Sequence, residues 1–187
     1  MIQFCYASTD DELQQIVALQ SINLPTTITA EELAAEGFVT VRHTRAILQR
    51  MNQLYGHTIA KVGEQVVAYA LCMQKEIRDD IPTLYPLFEK IDTLQFNGAW
   101  LRDTAYYVMG QICIAKAWRG RGIFPQLYAT QRRQLSAHFD YSITSVALRN
   151  PRSLRAHQKV GFQIINQYRD EAGHDWAILL WDWHSNE

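Results

Sequence analysis

The stretch that most limits what this chain can become runs from Tyr106 to Phe139: an apolar run, an arginine-glycine turn and a helical pattern. Tyr107-Val108-Met109-Gly110-Gln111-Ile112-Cys113-Ile114 reads as a buried strand. After Ala115-Lys116-Ala117-Trp118 comes Arg119-Gly120-Arg121-Gly122-Ile123-Phe124-Pro125. The two glycines permit positive φ and let successive N–H groups point inward, and Pro125 suits position N1 of a helix, where its missing donor costs nothing. Free amides at a helix start carry partial positive charge, and Arg119 and Arg121 add full charges. The spacing therefore predicts a cradle for a phosphate or pyrophosphate. An ordinary strand-to-helix turn would use the same glycines, and the turn has neither the Lys-Ser/Thr of a P-loop nor the third glycine of a dinucleotide fingerprint.

A second block comes after a strand expected over Ser142 to Leu148. It reads Asn150-Pro151-Arg152-Ser153-Leu154-Arg155-Ala156-His157-Gln158-Lys159-Val160-Gly161-Phe162. Asn150 before Pro151 is a good N-cap and N1 pair. Helical spacing puts Ser153, Ala156, His157 and Val160 on one face and Arg152, Arg155 and Lys159 on another.

In this order and separation, the two blocks resemble the GNAT superfamily of acyl-CoA N-acyltransferases, over roughly Tyr106 to Phe162. That family's pyrophosphate loop reads Arg/Gln-x-x-Gly-x-Gly/Ala after a central strand, and Arg119, Gly122 and Phe124 fall on the marked positions. Phe124 departs from the family's small residue, and its ring is expected to turn into the core. The second block is similar in its Asn, its small residue three on and its closing Gly-Phe, with His157 where the family usually has Tyr.

The resemblance implies an α/β (α+β) fold: a mixed, mostly antiparallel sheet flanked by helices, with a splayed parallel strand pair holding the cofactor. It implies acetyl-CoA as co-substrate and an amine acceptor, small molecule or peptide. It assigns the cofactor to Ile112, Cys113 and Ile114 through their backbone, to Arg119, Gly120, Arg121, Gly122, Ile123 and Phe124 in the loop, and to Asn150 and Ser153. It makes His157 the proton donor to the leaving thiolate, beside the alternative of a histidine hydrogen-bonded for structure. Family members often carry a carboxylate on the central strand; this one offers Gln111, and Asp103, Glu76, Asp79 or Asp80 would have to act through water.

At 187 residues, with 48% hydrophobic and 20% charged residues, the chain is expected to be one domain over 1–187. No apolar run approaches the ~20 residues of a membrane span, and Met1-Ile2-Gln3-Phe4-Cys5 is not a signal peptide, so the cytoplasm is expected. Cys5, Cys72 and Cys113 read as buried free thiols, with a nucleophilic Cys113 as the minority reading. The other histidines show no metal-ligand spacing. Net charge is −1, yet Ala115 to Val160 holds nine of the 18 basic residues and one acid, while Met1 to Val41 holds six acids and no base. A polyanion is expected at the basic stretch, and overall acidity favours coenzyme A over nucleic acid. A GNAT-like module that binds acyl-CoA without catalysis is the alternative function. Nucleic-acid binding through the basic patch is a third.

Elsewhere, helices are expected over Asp11–Leu19, Ala30–Glu36, Arg45–Leu54 after Thr44, and from Asp80-Ile81-Pro82 through Leu94. A hairpin is expected from Thr58 to Met73 around Gly63-Glu64, a loop from Gln95 to Trp100, and a last hairpin from Gln163 to Trp183. The segment Gln74 to Thr104 exceeds the family's usual connection and would be a wall of the acceptor site or an interface, with a homodimer as one outcome.

Overall fold

The structure, a computed structural model, describes residues 1–24, 26–27 and 41–184. The helix expected over Ala30–Glu36 and the short strand after Gly37 lie outside the described residues. In chain order the elements are β1 (Gln3–Tyr6), α1 (Asp10–Ser21), α2 (Arg45–Leu54), β2 (Thr58–Val62), β3 (Gln65–Met73), α3 (Tyr85–Asp92), β4 (Gln95–Phe96) and β5 (Ala99–Trp100). Then come β6 (Tyr106–Ile114), α4 (Ile123–Leu135), β7 (Tyr141–Ala147), α5 (Pro151–Val160), β8 (Gln163–Arg169) and β9 (Asp175–Asp182). They form two compact units, Met1–Cys72 with Met109–Leu135, and Met73–Val108 with Ser136–Glu187.

In the first unit the strand order is β1-β2-β3-β6. A capping box starts α1: Thr9 Oγ1 accepts from the Glu12 amide at 3.1 Å, and the Glu12 carboxylate accepts from the Thr9 amide at 3.0 Å. Glu12 also receives the Lys61 ammonium from β2 at 2.8 Å. Burial alone would raise the Glu12 pKa, but Lys61 and the Ser8 and Thr9 amides outweigh it and hold the carboxyl at about 2. The β2–β3 hairpin turns at Gly63, φ 58°, with Val62 opposite Gln65. Against this hairpin α4 lays Ile123 and Leu127 on Ala60, Ala68 and Ala70, with Ile112, Ile114 and Trp118 around them. Alanines keep that sheet face low and let the helix come close. Tyr6 Oη ties β1 to the same helix by donating to the Thr130 carbonyl at 3.2 Å.

In the second unit the order is β6-β7-β9-β8, with β6 and β7 parallel and in register at Tyr106–Tyr141, Tyr107–Ser142 and Val108–Ile143. Both β7–β9 and β8–β9 are antiparallel. Trp181 and Trp183 pack as core aromatics: Trp183 lies 5.5 Å from Tyr107 and 5.8 Å from Trp181, which lies 5.7 Å from Phe162. Helix α5 ends at Gly161, φ 125°, where a Cβ would stand 2.6 Å from Trp181 Nε1. Only glycine fits there.

The segment 74–104 differs from expectation twice. The helix expected from Asp80-Ile81-Pro82 through Leu94, preceded by a 3₁₀ turn at Lys75–Asp80, is split into a 3₁₀ turn at Pro82–Leu84 and the shorter α3. Pro86 is the cause: its ring would collide with the carbonyl four residues back, so α3 can start only where Pro86 falls in the first turn. The expected loop Gln95–Trp100 is instead the two-stranded hairpin β4–β5, turned by Asn97 and Gly98 at φ 49° and 82°. Two successive positive φ values are what an Asn-Gly turn provides. Asp92 fastens this segment by accepting from Arg78 at 2.8 Å and from Tyr106 Oη at 3.2 Å.

The architecture is thus α/β in the expected sense, a mostly antiparallel sheet with one parallel pair, flanked by helices.

Candidate functional site

In the first unit β6 delivers the chain into a 3₁₀ turn, Lys116–Trp118, and then into the arginine-glycine loop. Gly120 and Gly122 hold φ 73° and 72°, and a Cβ built on either meets nothing within 4 Å. Positive φ is therefore required for chain direction, and the side of each glycine where a side chain would sit is open. Helix α4 opens at Ile123, two residues before the expected start, which puts Pro125 at its third position. That is still inside the first turn, where amides have no intrahelical acceptor, so proline remains compatible and the donors on offer come from Gly122, Ile123 and Phe124. The Phe124 ring is half-buried against Tyr128, 5.2 Å between centroids, which leaves its backbone at the helix start.

The two arginines divide the work. Arg121 is exposed, with its guanidinium over the Trp118 ring at 4.8 Å, and places its charge at the loop. Arg119 turns away from that part. Its Nε donates to the Ile114 carbonyl at 3.1 Å, and its terminal nitrogen donates to Asn23 Oδ1 at 2.7 Å. The charge expected in the cradle from Arg119 is spent as a clasp at the loop's root. No local sequence signal foretold this, because Asn23 lies 96 residues away.

Along β6 the side chains alternate. Ile112 and Ile114 pack toward α4, whereas Gln111 and Cys113 are buried with Tyr69. Tyr69 Oη donates to Gln111 Oε1, and Gln111 Nε2 donates to the Val41 carbonyl at 2.7 Å. Gln111 is thereby locked as an amide, bonded at both its oxygen and its nitrogen. Burial pushes the Cys113 thiol up to about 12, outweighing the Tyr69 hydroxyl and the Ile114 amide, which disfavours the thiolate at neutral pH.

In the second unit Asn150 caps α5, its Oδ1 accepting from the Ser153 amide at 3.1 Å. His157 is 1% exposed, and its Nδ1 stands 2.8 Å from the Ser153 carbonyl and 3.3 Å from Ser153 Oγ. A carbonyl only accepts, so Nδ1 carries the proton and Nε2 the lone pair. Burial lowers the pKa to about 4 against the opposing pull of that carbonyl. At neutral pH the ring is neutral, with no proton on Nε2 to give. The edge of its ring rests on Phe162, 5.3 Å between centroids. His157→Phe should keep that packing and leave turnover within about threefold of wild type, whereas a positioned acid would cost about 10²–10⁴. Turnover measured beside a melting curve separates the two roles.

Asp103 is exposed and pairs with Arg102 at 3.8 Å. Among the described residues, no group of three His, Cys, Asp or Glu could hold a metal ion.

No family model matches this sequence, and no curated protein does. Solved structures do match. One is yncA from Salmonella typhimurium with its cofactor acetyl-CoA, 13% identical, with 100% of this chain and 96% of that chain covered and a TM-score of 0.65. Another is the ribosomal-protein-S18-alanine N-acetyltransferase from Escherichia coli, 11% identical, covered 100% and 97%, TM-score 0.61. A third is an acetyltransferase of the GNAT family from Streptococcus pneumoniae, 15% identical, covered 96% and 98%, TM-score 0.62. The parallel β6–β7 pair, the glycine loop opening α4 and these full-length neighbours agree: this chain has the GNAT N-acetyltransferase fold.

Proposed function

We propose that this chain is an acetyl-CoA-dependent N-acetyltransferase that passes an acetyl group directly to an amine of a small molecule or peptide. The observation that carries this reading is the pair of left-handed glycines before α4, whose missing side chains leave an open cradle at a helix N-terminus. In this reading Gly120, Gly122, Ile123 and Phe124 hold the pyrophosphate through backbone amides, with Arg121 adding charge. The backbone of Ile112, Cys113 and Ile114 pairs with the pantetheine arm. In this reading the whole of 1–187 works as one domain.

In the transfer the amine nitrogen bonds to the thioester carbonyl carbon, the carbon–sulfur bond breaks, the nitrogen loses a proton and the thiolate gains one. Backbone donors on the strip after Gln111 stabilise the carbonyl oxygen as charge develops. His157, neutral and bonded to Ser153, supports α5 rather than supplying the thiolate's proton. The three free cysteines suit a reducing compartment, and we place the protein in the cytoplasm. No described helix is long and apolar enough to cross a membrane.

The clamped Gln111 favours one second reading, an acyl-CoA-binding module without turnover. Calorimetry with CoA, then thiol release from acetyl-CoA against polyamines, amino acids, aminoglycosides and peptide N-termini, decides among them. Binding with release supports the enzyme, and binding without release for any acceptor supports the module. No binding removes both.

A further inference from the structure

We infer that Asn23 is a positioning residue for the glycine loop, coupling the end of α1 to the cofactor cradle through Arg119. The inference rests on the proposed cofactor reading for its consequence, though not for its geometry. Asn23 is 6% exposed, and each end of its amide has a defined partner. Its Nδ2 donates to the Leu19 carbonyl at 2.8 Å, in the last turn of α1, and its own N–H donates to the Gln20 carbonyl at 3.0 Å. Its Oδ1 accepts from Arg119 at 2.7 Å. Arg119 in turn holds the Ile114 carbonyl at the end of β6.

One side chain thus joins a helix end to the first residue of the loop. Beyond that join, Gly120 and Gly122 make the loop the least restrained backbone nearby, since glycine has the most conformations to lose. A cradle of amides binds an anion well only if the amides already face it. Fixing Arg119 on both sides fixes the point from which Gly120 to Phe124 project. The α1 end also suits a cation, because its last carbonyls carry partial negative charge and the helix has no basic residue in its last turn.

A mere helix-cap role for Asn23 predicts something different, and two substitutions tell them apart. Asn23→Asp keeps an oxygen for Arg119 but loses the donor to Leu19. Asn23→Ala loses both. The readouts are amide hydrogen exchange across residues 116–126 in the ligand-free protein, CoA affinity by calorimetry, and melting temperature. Positioning predicts loop exchange at least tenfold faster and CoA binding about tenfold weaker in the alanine variant, with the aspartate variant near wild type in both although it melts lower. If the two variants lose stability alike while exchange and affinity match wild type in both, Asn23 is only a cap and the inference is wrong. Should wild type fail to bind CoA, the cofactor reading falls, while exchange at Gly120–Phe124 still decides whether Asn23 holds the loop.

Discussion

Gly122→Val should abolish measurable CoA binding while leaving the protein folded. Gly122 stands at φ 72° with open space where a side chain would project, so valine meets no neighbour and its cost is backbone strain alone. A β-branched residue held in the left-handed region costs about 1–3 kcal/mol. In a chain of this size that lowers the melting temperature by about 2–12 °C. The strain is relieved if φ reverts to negative values, and that reversal swings the amides around residue 122 out of the cradle. Valine's methyls also fill part of the space a pyrophosphate would use. Each charge-assisted hydrogen bond to an anion contributes about 1.5–3 kcal/mol, so losing two weakens binding by about 10²–10⁴-fold. Calorimetry with CoA, beside a melting curve and a far-UV spectrum, checks this. A folded variant that binds CoA like wild type would show that the glycine loop is only a turn.

The elements legible in the sequence are those whose signals are local. Thr44 before an amphipathic run marks α2, and Gly63-Glu64 between two β-rich arms marks the β2–β3 hairpin, both found at the expected bounds. Asn150-Pro151 marks the start of α5 for the same reason. The 74–104 segment resists such reading because Pro82 looks like a helix opener until Pro86, four residues on, is weighed with it. Its Asn97-Gly98 turn is flanked by strands only two residues long, too short to show an alternating pattern. The site divides in the same way. Backbone properties, such as glycine conformation and a helix start, are written locally in Gly120–Gly122. Side-chain roles are not. Arg119 takes its partner from Asn23, Gln111 from Tyr69 and Val41, and only the folded chain brings these together. His157 illustrates the limit: helical spacing marks its face of α5 as inward, but the proton's place on Nδ1 depends on the Ser153 carbonyl distance. Residue type says imidazole, and geometry says neutral acceptor.

Three buried histidines should make this fold sensitive to mild acid. His43, His57 and His157 are each almost completely buried, and burial is the leading cause that lowers each pKa from an ordinary 6.5 to about 4. His57 shows why protonation is not tolerated. Its Nε2 donates to the Leu48 carbonyl at 3.0 Å while its Nδ1 accepts from the Cys72 amide at 3.2 Å, so a second ring proton would point at an N–H. The folded pKa lies below the unfolded one, so between pH 6.5 and 4 the unfolded chain binds more protons, and stability falls as pH falls. Each histidine contributes about 3 kcal/mol that is complete above pH 6.5 and gone below pH 4. Three together approach the whole stability of an ordinary domain, about 5–15 kcal/mol. Urea midpoints measured from pH 7.5 downward should therefore decline steeply below 6.5, with the native state lost before pH 4. The Glu12 carboxyl, held at about 2, adds its own loss only below about 4.5, so the first decline belongs to the histidines. His57→Gln offers an amide donor to Leu48 and an oxygen to Cys72 without a titrating group, and it should remove about one third of the slope between pH 6.5 and 4. A wild-type midpoint that stays level from pH 7 to 4.5 would mean these rings accept protons in place, against the burial that surrounds them.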